Sequence, residues 1–166
     1  MPESSTKIVF TAEQIAMRVR ELADRMKGER PIALVPILTG AITFTADLLR
    51  HLPASTVVSP MLMDPYHRGM VLAEPDLLLL LNRDVWVVDN SMASGVTLYG
   101  AVKAIRRHRT IVDLKTVVLY RLLEGHPMPI EPTLCGFFHR PTGRLIGYGQ
   151  DQQGTGRGLR DIVGYN

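Results

Sequence analysis

The chain has 166 residues, 46% of them hydrophobic and 21% charged, with a formal net charge of +3. That length suits one domain, residues 1–166, with a sizeable core and an ordinary soluble composition. The small charge is spread along the chain apart from Lys103, Arg106, Arg107 and Arg109, which read as a solvated helix end complementing the dipole, so no nucleic-acid partner is expected. The single Cys135 cannot form an internal disulfide and reads as a packed thiol in a reducing compartment. Residues 1–7 lack the apolar core of a signal peptide, and no apolar run approaches membrane-spanning length. The expected location is the cytoplasm, with no membrane partner.

Thr11 with Gln14 three residues on forms a capping box, and Ile15, Val19, Leu22 and Met26 follow at helical spacing, predicting an amphipathic helix over 11–27. Residues 32–38 are a continuous apolar run, as expected of a strand covered on both faces. Pro36 cannot donate to a ladder, so pairing on one side must end near it. Thr39-Gly40-Ala41 then turns the chain into a helix carrying Ile42, Phe44, Leu48 and Leu49. Residues 56–63 predict another strand interrupted by Pro60, followed by a polar loop over 64–69. Residues 77–81 are apolar but too short for periodicity to choose between helix and strand.

Residues 85–98 organise the rest. They read as a buried strand, Asp89 at its tip, a loop of small residues, and the first turn of a helix running to about His108. Ala93, Ser94 and Gly95 let backbone N–H groups converge on an anion, and the helix adds its positive end. Further strands are predicted over 114–120, 134–138 and 145–147, before a Gly-rich polar segment, 149–158. Strands alternating with helices imply an α/β fold with a mostly parallel sheet, whose ligands bind beyond the carboxyl ends of the strands. The polar punctuation falls at those ends, which argues for a single site. His51, His67, His108, His126 and His139 show no metal-ligand spacing, and the Met residues, Met61 and Met63 among them, read as core filler.

Three segments in this order resemble the type I phosphoribosyltransferases, most closely the hypoxanthine-guanine (6-oxopurine) branch. They are Val35-Pro36-Ile37-Leu38-Thr39-Gly40-Ala41, Val88-Asp89-Asn90-Ser91-Met92-Ala93-Ser94-Gly95-Val96-Thr97, and Leu145-Ile146-Gly147-Tyr148-Gly149-Gln150-Asp151 with Arg157 beyond. The resemblance implies that family's single-domain fold, a mostly parallel sheet flanked by helices with a small C-terminal hood. It implies Mg²⁺-dependent transfer of a phosphoribosyl group from phosphoribosyl pyrophosphate (PRPP) to a nitrogenous base, most like a 6-oxopurine, in nucleotide salvage.

By that resemblance, Asp89, Asn90, Ala93, Ser94, Gly95, Val96 and Thr97 hold the ribose and 5′-phosphate. Leu38, Thr39, Gly40 and Arg157 hold pyrophosphate, in this family often through a cis peptide. Asp151 meets Mg²⁺, while Tyr120, Arg121, Arg144 and Leu145 face the base. Asp89 and Arg157 are the expected catalytic residues, and residues 63–69 would close over the site to exclude water. A homo-oligomer, dimer or tetramer, is also implied. This chain departs from the pattern at Asn90, where the family has a second acidic residue. It also departs at Ala93, where the purine branch has an acid/base Asp, and at Thr39, in place of a Lys. Ala93 is similar to the uracil branch. The alternatives are therefore a pyrimidine or unusual base, or a regulatory protein that binds PRPP or a nucleotide without catalysis.

Overall fold

The computed structural model describes residues 6–64, 67, 69–111, 113–123, 128–140 and 143–165. Pro65, Tyr66 and Arg68 of the predicted lid, and His126, lie outside the described residues. The elements run β1 (Lys7–Phe10), α1 (Ala12–Met26), β2 (Ile32–Leu38), α2 (Ile42–Leu49), β3 (Val57–Val58), β4 (Met61–Met63), β5 (Val71–Ala73), β6 (Asp84–Met92), α3 (Val96–Arg106), β7 (Leu114–Leu122), β8 (Leu134–His139), β9 (Arg144–Ile146) and β10 (Ile162–Tyr165). The undecided apolar stretch is a 3₁₀ turn, Leu77–Leu80, capped by the Asp76 side chain on the Leu78 N–H.

The main sheet has the order β5-β4-β2-β6-β7-β8, with β3 also pairing β2. All its pairings are parallel except the β4–β5 hairpin. Pro36 acts as anticipated. On the outer side of β2, Ala33 and Leu34 pair with β3, whereas Ile37 and Leu38 pair with β4, so the ladder breaks at the intervening proline.

Strand alternation splits the core into two layers. Leu34, Trp86, Val88 and Val117 pack under α1 and α2 with Ile15, Leu22, Phe44 and Leu48. Val35, Val87 and Val118 pack on the other face under α3 with Leu98, Val102 and Ile105. The capping box on α1 forms both of its bonds. Cys135 is partly buried, and burial pushes its thiol up to about 11, consistent with a packed, unreactive sulfur.

Two expectations needed correction. Asp89 does not end its strand: β6 continues to Met92, because β7 keeps pairing with it through Ser91↔Tyr120 and Met92↔Arg121. Of a second sheet, β1-β10-β9, only β9 was anticipated; β1 and β10 bring the first and last described segments together as an antiparallel hood. The Gly-rich segment between β9 and β10 folds back through turns closed by Gly147↔Gln150 and Gln152↔Thr155.

Candidate active site

At the carboxyl end of β6 the strand period of two places Asp89 and Ser91 on one side and Asn90 on the other. Asp89 and Ser91 line a cavity of about 250 Å³ together with Ala93, Ser94, Gly95 and Thr97 from the following loop. Gly95 is the N-cap of α3 at φ +72, a conformation glycine adopts without a Cβ penalty. It has no side chain to cap the helix, so the first-turn N–H groups have no side-chain acceptor. With the Ser94 and Thr97 hydroxyls, they form a cradle suited to a phosphate.

Leu38 and Gly40 also line this cavity. They also line an adjoining cavity of about 410 Å³ with Thr39, Asp64, Thr97 and Arg157. The two spaces share Leu38, Gly40 and Thr97 and make one cleft. The Leu38–Thr39 peptide is cis. Of the residues expected to hold ribose, 5′-phosphate and pyrophosphate, all but Asn90 and Val96 are thus brought to one place by two strand–loop–helix units, β2–α2 and β6–α3, and by the hood.

Asp89 is buried and accepts from the Asn90 backbone N–H at 2.8 Å. Removal from water outweighs the backbone hydrogen bonds and pushes its carboxyl up to about 7. The site therefore holds a carboxyl group poised to accept a hydrogen bond from a sugar hydroxyl once ionised.

Arg157 is held by two bonds of 2.7 Å, donating through Nη1 to the Gly149 carbonyl and pairing through Nη2 with Asp151. The other Asp151 oxygen accepts from the Gly154 N–H at 2.7 Å. Among the described residues no three His, Cys, Asp or Glu side chains cluster as a ready-made metal cage. Mg²⁺ in phosphate-transfer sites commonly takes one or two carboxylates plus substrate oxygens and water, so the hard oxygen donors of Asp151 fit that ion.

Asn90 faces away from the cavity. Buried against Gly40, it donates through Nδ2 to Gln150 Oε1 at 3.3 Å, joining the β6 tip to the hood. Val96 is more than a third exposed at the start of α3 and does not line the cleft.

The four residues expected to face a base do not converge. Tyr120 is buried in the core with its ring 6.2 Å from that of Phe10, and burial pushes its hydroxyl up to about 12. Leu145 is likewise taken into the core. Arg121 pairs with Glu131, and Arg144 is exposed at the edge of the hood sheet opposite Tyr165. None of the four lines either cavity. The strand expected to end at Tyr120 continues two residues further, and the core takes up the aromatic ring.

Two polar residues of the site were not anticipated. Ser91 lines the cavity two residues beyond Asp89, as strand alternation from Asp89 would have indicated. Gln150 accepts through Oε1 from Ser91 Oγ at 3.1 Å as well as from Asn90. No local pattern marks Gln150; only the docking of the hood brings it to β6. That docking is close: a Cβ on Gly149, at φ +93, would stand 2.2 Å from the Gly40 carbonyl oxygen.

A phosphoribosyl transferase domain model matches residues 5–133. The chain is 31% identical to a hypoxanthine-guanine phosphoribosyltransferase of Dictyostelium discoideum, covering 89% of this chain and 88% of that one. It is 30% identical to the enzyme of the same name from Aquifex aeolicus, covering 94% and 92%. A solved hypoxanthine phosphoribosyltransferase of Trypanosoma cruzi in complex with the product IMP superposes with a TM-score of 0.84 at 30% identity, covering 100% of this chain and 96% of that one. A hypoxanthine-guanine phosphoribosyltransferase of Bacillus anthracis does so with a TM-score of 0.86 at 25% identity, covering 99% of each. With a family model spanning most of its length, relatives aligned nearly end to end, and two strand–loop–helix units meeting at one cleft, the chain belongs to the phosphoribosyltransferase family.

Proposed function

We propose that this protein transfers the 5-phosphoribosyl group of PRPP to a 6-oxopurine, hypoxanthine or guanine, with release of pyrophosphate, in nucleotide salvage. The observation that carries the reading is the meeting of Asp89, the 93–97 cradle, Leu38-Thr39-Gly40 and Arg157 around one cleft. The 5′-phosphate binds the first turn of α3 and the Ser94 and Thr97 hydroxyls. Ionised Asp89 accepts a ribose hydroxyl and fixes the sugar. Backbone N–H groups near Thr39 and Gly40, with the Arg157 guanidinium, orient the pyrophosphate and stabilise the charge it gains as the anomeric bond breaks. Mg²⁺, when bound through Asp151 and substrate oxygens, neutralises the leaving group further.

Asp64, His67 and Gly69 lie in the connection of the β4–β5 hairpin; Asp64 lines the pyrophosphate cavity, whereas Gly69 packs against Val96 and Gly100 of α3. The Asp64 carboxylate accepts from the His67 backbone N–H and contacts its ring. This segment closes over bound PRPP and keeps water from the ribosyl cation.

Ala93 supports a second reading, in which the protein binds PRPP or a nucleotide without turnover, because a methyl group cannot move a proton at the base. Incubation with PRPP, Mg²⁺ and a panel of purines and pyrimidines separates the two, with pyrophosphate release and nucleotide formation as readouts. Turnover with hypoxanthine or guanine is expected. Binding of PRPP without turnover on any base would select the second reading.

No helix among the described residues is long and apolar enough to cross a membrane, and we carry forward a cytoplasmic location. Met70, Leu72, Val96 and Tyr99 are exposed where the β4–β5 hairpin meets α3. They favour self-association into a homo-oligomer, measurable by light scattering.

A further inference from the structure

The outer face of α3 bears a cavity of about 340 Å³ that the phosphoribosyl chemistry does not use. Tyr99, Val102, Pro129 and Ile130 line it together with three cations, Lys103, Arg106 and Arg107. An adjoining cavity of about 390 Å³ shares Lys103 and Arg107 with it. Neither has a lining residue in common with the two cavities of the cleft.

Helical spacing builds this groove. Tyr99 and Lys103 stand four residues apart, Arg106 follows three residues on, and Arg107 stands four residues after Lys103, so all fall on neighbouring turns. Like charges at these spacings repel one another. The helix dipole offsets that repulsion at a C-terminal end, but it gives no reason for the cations to converge on a concave wall of apolar residues. Among the described residues none of the three side chains has a carboxylate partner, whereas Arg30, Arg121 and Arg157 are each paired. Glu74, the carboxylate that lines the adjoining cavity, lies 3.3 Å from His108 Nε2.

The charge selects the occupant. Tyr99 also belongs to the patch offered above for self-association, but a second copy seated on the groove itself would set three cations against their symmetry mates, like against like. The complement is an anion carrying several charges. Tyr99, 42% exposed, with Pro129 and Ile130 beside the same space, adds a surface on which a planar ring can lie.

We propose that the outer groove of α3 is a second, non-catalytic binding site for a nucleoside triphosphate, its phosphates on Lys103, Arg106 and Arg107 and its base against Tyr99 and Ile130. The site goes beyond the phosphoribosyl-transfer reading and does not depend on it.

The test measures binding of ATP and GTP by calorimetry to the wild type, to the double variant Lys103→Ala/Arg107→Ala and to Thr97→Ala, which alters the cleft instead. Both changes in the double variant fall on exposed positions, and alanine is the best helix former, so the fold is kept. The double variant is expected to lose about ten-fold or more of the affinity for at least one of the two nucleotides, and Thr97→Ala to retain it. Tripolyphosphate, which lacks base and sugar, is expected to bind the wild type about ten-fold more weakly than that nucleotide. Absence of nucleotide binding, or binding that the double variant keeps in full, overturns the proposal. So does binding lost in Thr97→Ala alone, which would put the nucleotide in the cleft. Tripolyphosphate binding as tight as that of the nucleotide overturns the assignment of a base to Tyr99. Absence of turnover with any base would overturn the reading of the cleft and leave these results untouched, so the two are decided separately.

Discussion

The strand side and the hood side of the cleft are built in opposite ways. The strand side stands on β2 and β6, adjacent central strands covered on both faces, each followed at once by a helix. Its ligating groups are backbone N–H groups and short side chains within a few residues of a strand end. The hood side, which carries Arg157 and Asp151, is a segment without regular structure, residues 147–158, placed by contacts with residues far away in sequence. Those contacts are Gly149 on Gly40, Gln150 on Asn90 and Ser91, and Tyr148 on Asp47. The first kind of site survives changes elsewhere because a rigid sheet holds it. The second kind is only as good as its docking.

The sharpest test of the strand side is Asp89→Asn. An amide cannot supply the carboxylate that receives the ribose hydroxyl, and turnover is expected to fall by about 10²–10³-fold. Stability moves the other way. The Asp89 carboxyl has an ordinary value of 3.8 and is held up at about 7 in the fold. As pH rises from about 4, the unfolded chain releases this proton first, so the folded state loses stability across that window and keeps the penalty above pH 7. The Asn variant, with no charge to bury, is expected to melt higher than the wild type at pH 8, with the difference closing towards pH 4. A wild-type melting temperature flat across this range, or a variant that melts lower at pH 8, would contradict a burial-dominated Asp89.

The docking of the hood side breaks with one methyl group. Gly149→Ala puts a Cβ 2.2 Å from the Gly40 carbonyl at a backbone φ of +93, so both strain and overlap push the hood from the pyrophosphate loop. A loss of about 2–3 kcal/mol is expected in urea unfolding. PRPP affinity is expected to weaken, because Arg157 is tethered to the Gly149 carbonyl. Unchanged stability and PRPP affinity would mean that the hood does not depend on this contact.

Ala93 sits on the boundary between the two sides. If hypoxanthine or guanine is the acceptor, Ala93→Asp supplies a proton-transfer group at the cavity wall, and kcat is expected to rise about ten-fold. A rate that stays level or drops would argue that this pocket handles the base without an acid/base residue.

The same contrast explains what could be read from the sequence. The capping box at Thr11, the break at Pro36 and the small-residue loop over 93–97 are local signals, and each reports a local geometry that the structure contains. Asp89, Leu38, Thr39, Gly40 and Arg157 meet at one cleft because the resemblance preserved their order along the chain. Tyr120 went to the core because burial there depends on Phe10 and on how far β7 continues, and Leu145 because β9 pairs with β10, none of which is visible within a few residues. Gln150 was missed for the converse reason. A glutamine in a Gly-rich polar segment has no periodicity, and its partners are 59 and 60 residues away. The hood sheet needs β1 and β10, from opposite ends of the chain, to pair at all.

Tyr148 offers the mildest way to loosen the hood side without introducing a clash. It is buried and donates its hydroxyl to Asp47 Oδ2 at 2.7 Å, so the hood is fastened to α2, the helix that follows the pyrophosphate loop. Burial and the neighbouring carboxylate both push its ionisation up, so the hydroxyl stays protonated and remains a donor throughout the working range. Tyr148→Phe keeps the ring in place and removes only this bond. Asp47 still has Arg50 as a partner, so no carboxylate is left stranded and the cost is expected to be about 1 kcal/mol. If the fastening also positions the hood, which carries Arg157, the KM for PRPP is expected to rise by about two- to three-fold. A fall in melting temperature with that KM unchanged would make Tyr148 a stabilising contact alone, and Arg157 would then be placed by the Gly149 contact without help from α2.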